Sequence, residues 1–177
     1  AALATATAAA IEAPIFSTFT PAADSSQTGL LMADVLITEA QFQEEVNRLI
    51  AEHADITIAD IDFSAEGVTV ALTAAGSDRA QTSGQLVYRF EMMGEPGGGN
   101  NIVAIQPQPV EQFIMSGGGQ PTEAFIEVAY GDMFGIVFEA FDFILNQRLG
   151  QGRHNLEFIT IDADSMAVSL FVPERVE

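Results

Sequence analysis

Oxygen-bearing side chains alternate along Asp60-x-Asp62-x-Ser64-x-Glu66, with Gly67 closing the run; this spacing comes nearest to that of a metal site. Calcium gathers closely spaced carboxylate and carbonyl oxygens of this kind. The run lacks the internal glycine and the distant glutamate of an EF-hand loop, and Asp162-x-Asp164-Ser165 echoes it only in part. Asp60 and Asp62 therefore stand as calcium candidates against a simpler reading, in which such residues end strands and cap turns. His53 and His154, the two histidines, sit in separate polar breaks without a second ligand at metal spacing, and read as surface loop residues. Asp132, Glu139 and Asp142 fall in an apolar stretch where each carboxylate needs water or a partner; a solvated helix edge would provide it. No nucleophile elbow, zinc-protease motif, Walker loop or dinucleotide fingerprint occurs. The glycine-rich loops Gly94–Asn101 and Ser116–Pro121 contain no lysine to cradle a phosphate. With no cysteine there is no thiolate nucleophile or ligand and no disulfide. Neither a catalytic site nor a cofactor is expected.

The bulk composition narrows the partners further. Twenty-five acidic residues face six arginines and no lysine, for a formal net charge of −19. Nucleic acid and anionic lipid headgroups both require clustered cations, so neither fits. The chain is nonetheless 48% apolar with a mean hydropathy of +0.24, which sets it apart from disordered acidic tails. Thirteen Phe, two Tyr and no Trp mean that most of the aromatic bulk has no polar handle and belongs in a core or a greasy cavity. No uncharged apolar run is long enough to span a membrane. The opening Ala1-Ala2-Leu3-Ala4-Thr5-Ala6-Thr7 has the small-residue texture found near a signal-peptidase cut, and the expectation is a secreted, periplasmic or cell-surface protein.

The elements that must position these residues repeat at a separation of one hundred. Arg48-Leu49 is answered by Arg148-Leu149, Ile56–Asp62 by Leu156–Asp162, and Val68-Thr69-Val70 by Val168-Ser169-Leu170. Each copy reads helix, strand, turn, strand, and an internal repeat is a statement about architecture. Residues 1–33 form an Ala/Thr/Pro-rich extension, a leader or an added strand, and residues 34–177 form one domain with repeat-like halves near 37–74 and 122–173. Thr38 caps the first helix, Gln41 closes a capping box, and Ile37 with Phe42 forms a staple. Phe42, Val46, Leu49 and Ile50 make its apolar stripe, leaving Glu39, Glu44 and Glu45 toward water. Strands are expected near 55–63, 68–74, 86–92, 102–105, 156–162 and 166–172, with a bulge between Ile58 and Ile61. A long helix over about 123–149, apolar on more than one face, would reach about 40 Å; Gly131 and Gly135 are places for a kink or a close crossing, and 123–130 reads alternatively as a strand.

That apolar volume is the positive signal. It is either packed core or a cavity between helix and sheet, and the candidate cavity residues are Phe90, Met92, Phe134, Phe138, Phe141 and Leu145. The run Ile37–Phe42 through Val68–Leu72 resembles secreted bacterial proteins of the tubular lipid-binding type. That resemblance implies an apolar helix lying in a curled antiparallel sheet and the binding or carriage of a lipid. The expected fold is α+β: an antiparallel sheet wrapped on the long apolar helix, plus one amphipathic helix. The expected function is non-catalytic binding of an apolar small molecule or lipid. The alternative is a structural subunit of an extracellular assembly, joining copies of itself through the extension and an apolar surface.

Overall fold

A computed structural model describes residues 20–21, 30–75, 80–95, 101–149 and 155–173. The element order is β1 (Thr20–Pro21), β2 (Leu30–Thr38), α1 (Glu39–Ile50), β3 (Ile56–Ser64), β4 (Gly67–Ala75), β5 (Gln81–Met93), β6 (Ile102–Pro107), a short 3-10 turn, β7 (Ile114–Met115), α2 (Glu123–Tyr130), α3 (Asp132–Leu149), β8 (Asn155–Ile161) and β9 (Ser165–Pro173). The fold is mixed α+β with two open sheets. Sheet A runs β1-β2-β9-β8; sheet B runs β3-β4-β5-β6, with β7 also on β5. Every described pairing is antiparallel. No helix among the described residues is long and apolar enough to cross a membrane.

α1 forms where its local signals place it. Thr38 Oγ1 accepts from the Gln41 N–H at 3.3 Å and Gln41 Oε1 accepts from the Thr38 N–H at 3.3 Å, completing the capping box. Phe42, Val46 and Leu49 are buried against β3, β2 and α3. The wet-side assignment of two glutamates needs correction. Glu45 is only 8% exposed, because Arg48 one turn later donates to its Oε1 from both Nε and Nη2, at 2.9 and 2.6 Å. Glu39 turns toward β3 and accepts from the Phe63 N–H at 2.8 Å.

Beside it, Gln43 Nε2 donates to the Ala59 carbonyl at 3.1 Å and Gln43 Oε1 accepts from the Ile61 N–H at 2.7 Å. The outer edge of β3 is thus satisfied by helix side chains instead of another strand, which blunts an edge that would otherwise recruit one. Gln43→Ala strands a carbonyl and an N–H at once. It should cost about 1–3 kcal/mol by urea unfolding, whereas Gln43→Ala at a merely solvated site would be neutral.

Two further expectations are revised. The stretch 123–149 is two helices, not one, because Gly131 adopts φ −101°, ψ −97° and interrupts the turn. The register shift in β3 falls between Ile56 and Ile58, one step earlier than expected, since Ala59, Ile61 and Phe63 share one buried phase. A matching shift in β8 falls between Leu156 and Phe158. β2 crosses the expected boundary at 33/34, its first four residues belonging to the extension, and it pairs with β9 along all nine residues. The inner faces of both sheets and all three helices share one hydrophobic core, with β8 close to β5 and β6.

Candidate functional site

On α3, Phe134, Phe138, Phe141 and Leu145 follow one another at helical spacing along a single flank. Phe141 and Leu145 are buried in the core, Phe134 is half-buried and Phe138 is 49% exposed. Phe90 and Met92 alternate onto the inner face of β5, where their cross-strand partners on β6 are Ile105 and Val103. Tyr88, two residues earlier on that face, is fully buried; Phe90 and Met92 are only half-buried, so the core cover thins along the strand. The two rows meet where the Phe90 and Phe141 rings stand edge to face, 5.4 Å apart at 66°. The structure therefore joins Phe90 to Phe141, places Leu145 one turn further along α3 and equally buried, and leaves Met92, Phe134 and Phe138 as partly exposed continuations of the two rows.

The anchor on the buried side is Tyr88. Its hydroxyl donates to the Ala129 carbonyl at 2.6 Å, and burial first, then Tyr130, pushes its pKa well above the usual tyrosine range. It is a neutral structural donor that ties β5 to the end of α2.

A separate groove of about 790 Å³ opens beside α2, lined by Asp55, Thr82, Thr122, Glu123, Glu127 and Asp132 among others. None of the six apolar candidates borders it. Its walls mix these hydroxyls and carboxylates with Ala75, Ala80, Ala124, Val128 and Gly131. Thr122 caps α2 through the Phe125 N–H at 3.2 Å and donates to Thr82 Oγ1 at 3.3 Å. His53 Nδ1 lies 3.9 Å from Asp132 Oδ1 at its rim; His154 lies outside the described residues. Glu139 and Asp142 are exposed on α3, and Asp142 Oδ2 accepts from Asn146 Nδ2 at 2.8 Å.

The calcium candidates Asp60 and Asp62 are exposed on the outer face of sheet B, opposite Ala71 and Thr69. Among the described residues, no three His, Cys, Asp or Glu side chains gather as a metal site. Their counterpart Asp162 is a turn cap: its Oδ1 accepts from the Asp164 N–H, the Ser165 N–H and the Ser165 hydroxyl at 3.0, 2.8 and 3.1 Å. No family model matches this chain, and no curated protein or solved structure does.

The Asp162 bonds, led by the Asp164 N–H, hold its carboxyl below its ordinary value of 3.8. A lowered folded-state pKa contributes stability that is present above the unfolded value and lost as pH falls through the folded one. Between neutral pH and pH values below 3.8, the urea midpoint of Asp162→Asn should therefore fall less than that of the parent chain. Equal falls would remove Asp162 from the acid response.

Proposed function

We propose that this protein is an exported, non-catalytic binding protein whose ligand is a lipid or comparable apolar molecule. The carrying observation is the row of partly exposed apolar side chains, Met92, Phe134 and Phe138, on either side of the Phe90–Phe141 contact. Apolar surface at the margin of a packed core is a place where an acyl chain can complete the burial that the protein leaves unfinished. The two helix–hairpin segments, with register shifts at Ile56/Ile58 and Leu156/Phe158, support their reading as copies of one unit. In that reading α2 and α3 together replace the single long helix.

The test is native mass spectrometry of protein purified without detergent, followed by organic extraction. A monomer with added mass that extracts as lipid is expected. Phe138→Asp should lose the adduct with an unchanged far-UV spectrum, because its side chain is half in water already. A bare monomer that binds no fluorescent fatty acid would overturn the reading.

A second reading, a subunit of an extracellular assembly, has its own observation: Thr20 and Pro21 of the extension pair with Met32 and Leu31 at the edge of sheet A. Removing residues 1–33 would also remove the start of β2, so the informative truncation ends at residue 29, which takes away β1 and leaves β2 whole.

A further inference from the structure

We propose that the open edge of β2 is a strand-addition site and that its occupant is the segment Pro14–Phe19 of the same chain. This is independent of what ligand the protein carries. Sheet A ends on β2, where β1 covers only the first part: Thr20 faces Met32 and Pro21 faces Leu31. On its other side β2 pairs with β9 over all nine residues. From Ala33 to Ile37, the backbone groups that point away from β9 have no strand partner among the described residues. Such an edge is a template for another strand. The edge of β3, by contrast, is taken by Gln43 and Glu39, and β8 lies close to β5 and β6.

Register names the occupant. β1 runs antiparallel to β2, so each step back from Thr20 meets one step forward from Met32. Continued, the ladder sets Phe19 beside Ala33, Thr18 beside Asp34, Ser17 beside Val35, Phe16 beside Leu36, Ile15 beside Ile37 and Pro14 beside Thr38. These six residues lie outside the described ones, and it is their sequence that fits the register. Directly opposed residues share a face of the sheet. Val35 and Ile37 are buried, so Ile15 and Phe19 fall on the inward face with them. Phe16 falls outward beside Leu36, which is 50% exposed and gains a neighbour there. Pro14 has no N–H to give, and it arrives at Thr38, where β2 itself ends. A slip of one residue would instead set Thr18 beside Val35 and Ser17 beside Leu36, trading apolar pairs for hydroxyls.

Connectivity selects the chain's own segment over that of a second copy. Thr20 and Pro21 already pair with β2 of their own chain. The residues just before them therefore enter the same edge without a gap or a crossing, at the effective concentration of a tethered strand. A segment from a second copy would have to compete with that tether for an edge whose first positions β1 holds. Ile, Phe and Thr are also the residue types that favour a strand, and Phe19, Thr18, Phe16 and Ile15 supply four of the six positions.

Disulfide trapping in the full chain tests this, since the chain has no cysteine of its own. Opposed residues on antiparallel strands have Cα atoms about 4.5–5.5 Å apart, within reach of a disulfide. Phe16→Cys combined with Leu36→Cys should close an intramolecular disulfide under mild oxidation of dilute protein. Ser17→Cys combined with Leu36→Cys, one position away but on the other face, should close roughly tenfold more slowly or not at all. Amide exchange at Ala33–Ile37 gives a second readout: it should be roughly tenfold faster in Ile15→Asp than in the parent chain, and unchanged in Thr5→Asp. Equal trapping of the two cysteine pairs, or exchange that ignores Ile15→Asp, overturns the register. A disulfide formed between chains overturns the same-chain occupant.

Discussion

Phe42→Ala is expected to remove about 3–5 kcal/mol of stability, the range for truncating a fully buried phenylalanine that leaves a cavity. Phe42 occupies the first full turn of α1, has no exposed surface, and meets the Phe63 ring of β3 edge to face at 5.6 Å and 63°. It therefore fastens the helix to the same strand whose edge is satisfied by Gln43 and Glu39. Losing the ring costs transfer energy, the ring–ring contact and part of the helix seating together. Against a total of roughly 5–15 kcal/mol for a domain, that is about a fifth or more. Urea unfolding measures it, and Phe42→Leu should cost under about 1.5 kcal/mol if the site can repack. Equal small losses in both variants would mean that α1 is not anchored through this ring.

α1 was legible because its signals are local: a cap, a box residue three positions on, and apolar residues at helical spacing. The hairpins β3–β4 and β8–β9 were legible for the same reason, each being two alternating runs joined by a short turn. β2 was not. Its partner strand is β9, and the Asp34–Ser169 hydrogen bond that marks the register spans 135 positions, a distance no local pattern can report. The misplaced bulge has a different cause. The buried residue that keeps phase with Ile61 is Ala59, too small to weigh in a hydrophobic pattern, so the alternation reads as slipping between Ile58 and Ile61. A carboxylate on a helix usually faces water, and only the geometry of Arg48 shows how Glu45 is covered. Among the candidate residues, Phe134, Phe138, Phe141 and Leu145 stand out by type and position in an apolar stretch. Neither tells how deep each lies, since depth depends on which strands end nearby. The groove beside α2 was illegible altogether, because its walls come from segments around residues 55, 75–82 and 122–132 that only tertiary packing brings together.

Gly67→Ala carries the second large expected effect, at roughly 2–5 kcal/mol. It sums the cost of a left-handed residue with a Cβ, about 1–2 kcal/mol, and of overpacking, about 1–3 kcal/mol. Gly67 closes the β3–β4 turn opposite Ser64 with φ +136°. A Cβ built there would lie 2.3 Å from the Tyr88 carbonyl oxygen. That oxygen belongs to backbone, so no rotamer change relieves the clash, and β5 must move relative to β4. Any such movement also shifts the Tyr88 hydroxyl away from the Ala129 carbonyl, carrying the damage from a turn at one end of sheet B to the end of α2. For a chain of this size the loss corresponds to a fall in melting temperature of roughly 5–15 °C, with a changed near-UV tyrosine signal. Gly117→Ala is the matching control, since nothing lies within 4 Å of its Cβ position; it should stay within about 0.5 kcal/mol of the parent. If Gly67→Ala were as harmless as Gly117→Ala, the close approach of β4 to β5 at Tyr88 would be wrong, and with it the link between the turn and the aromatic row that begins there.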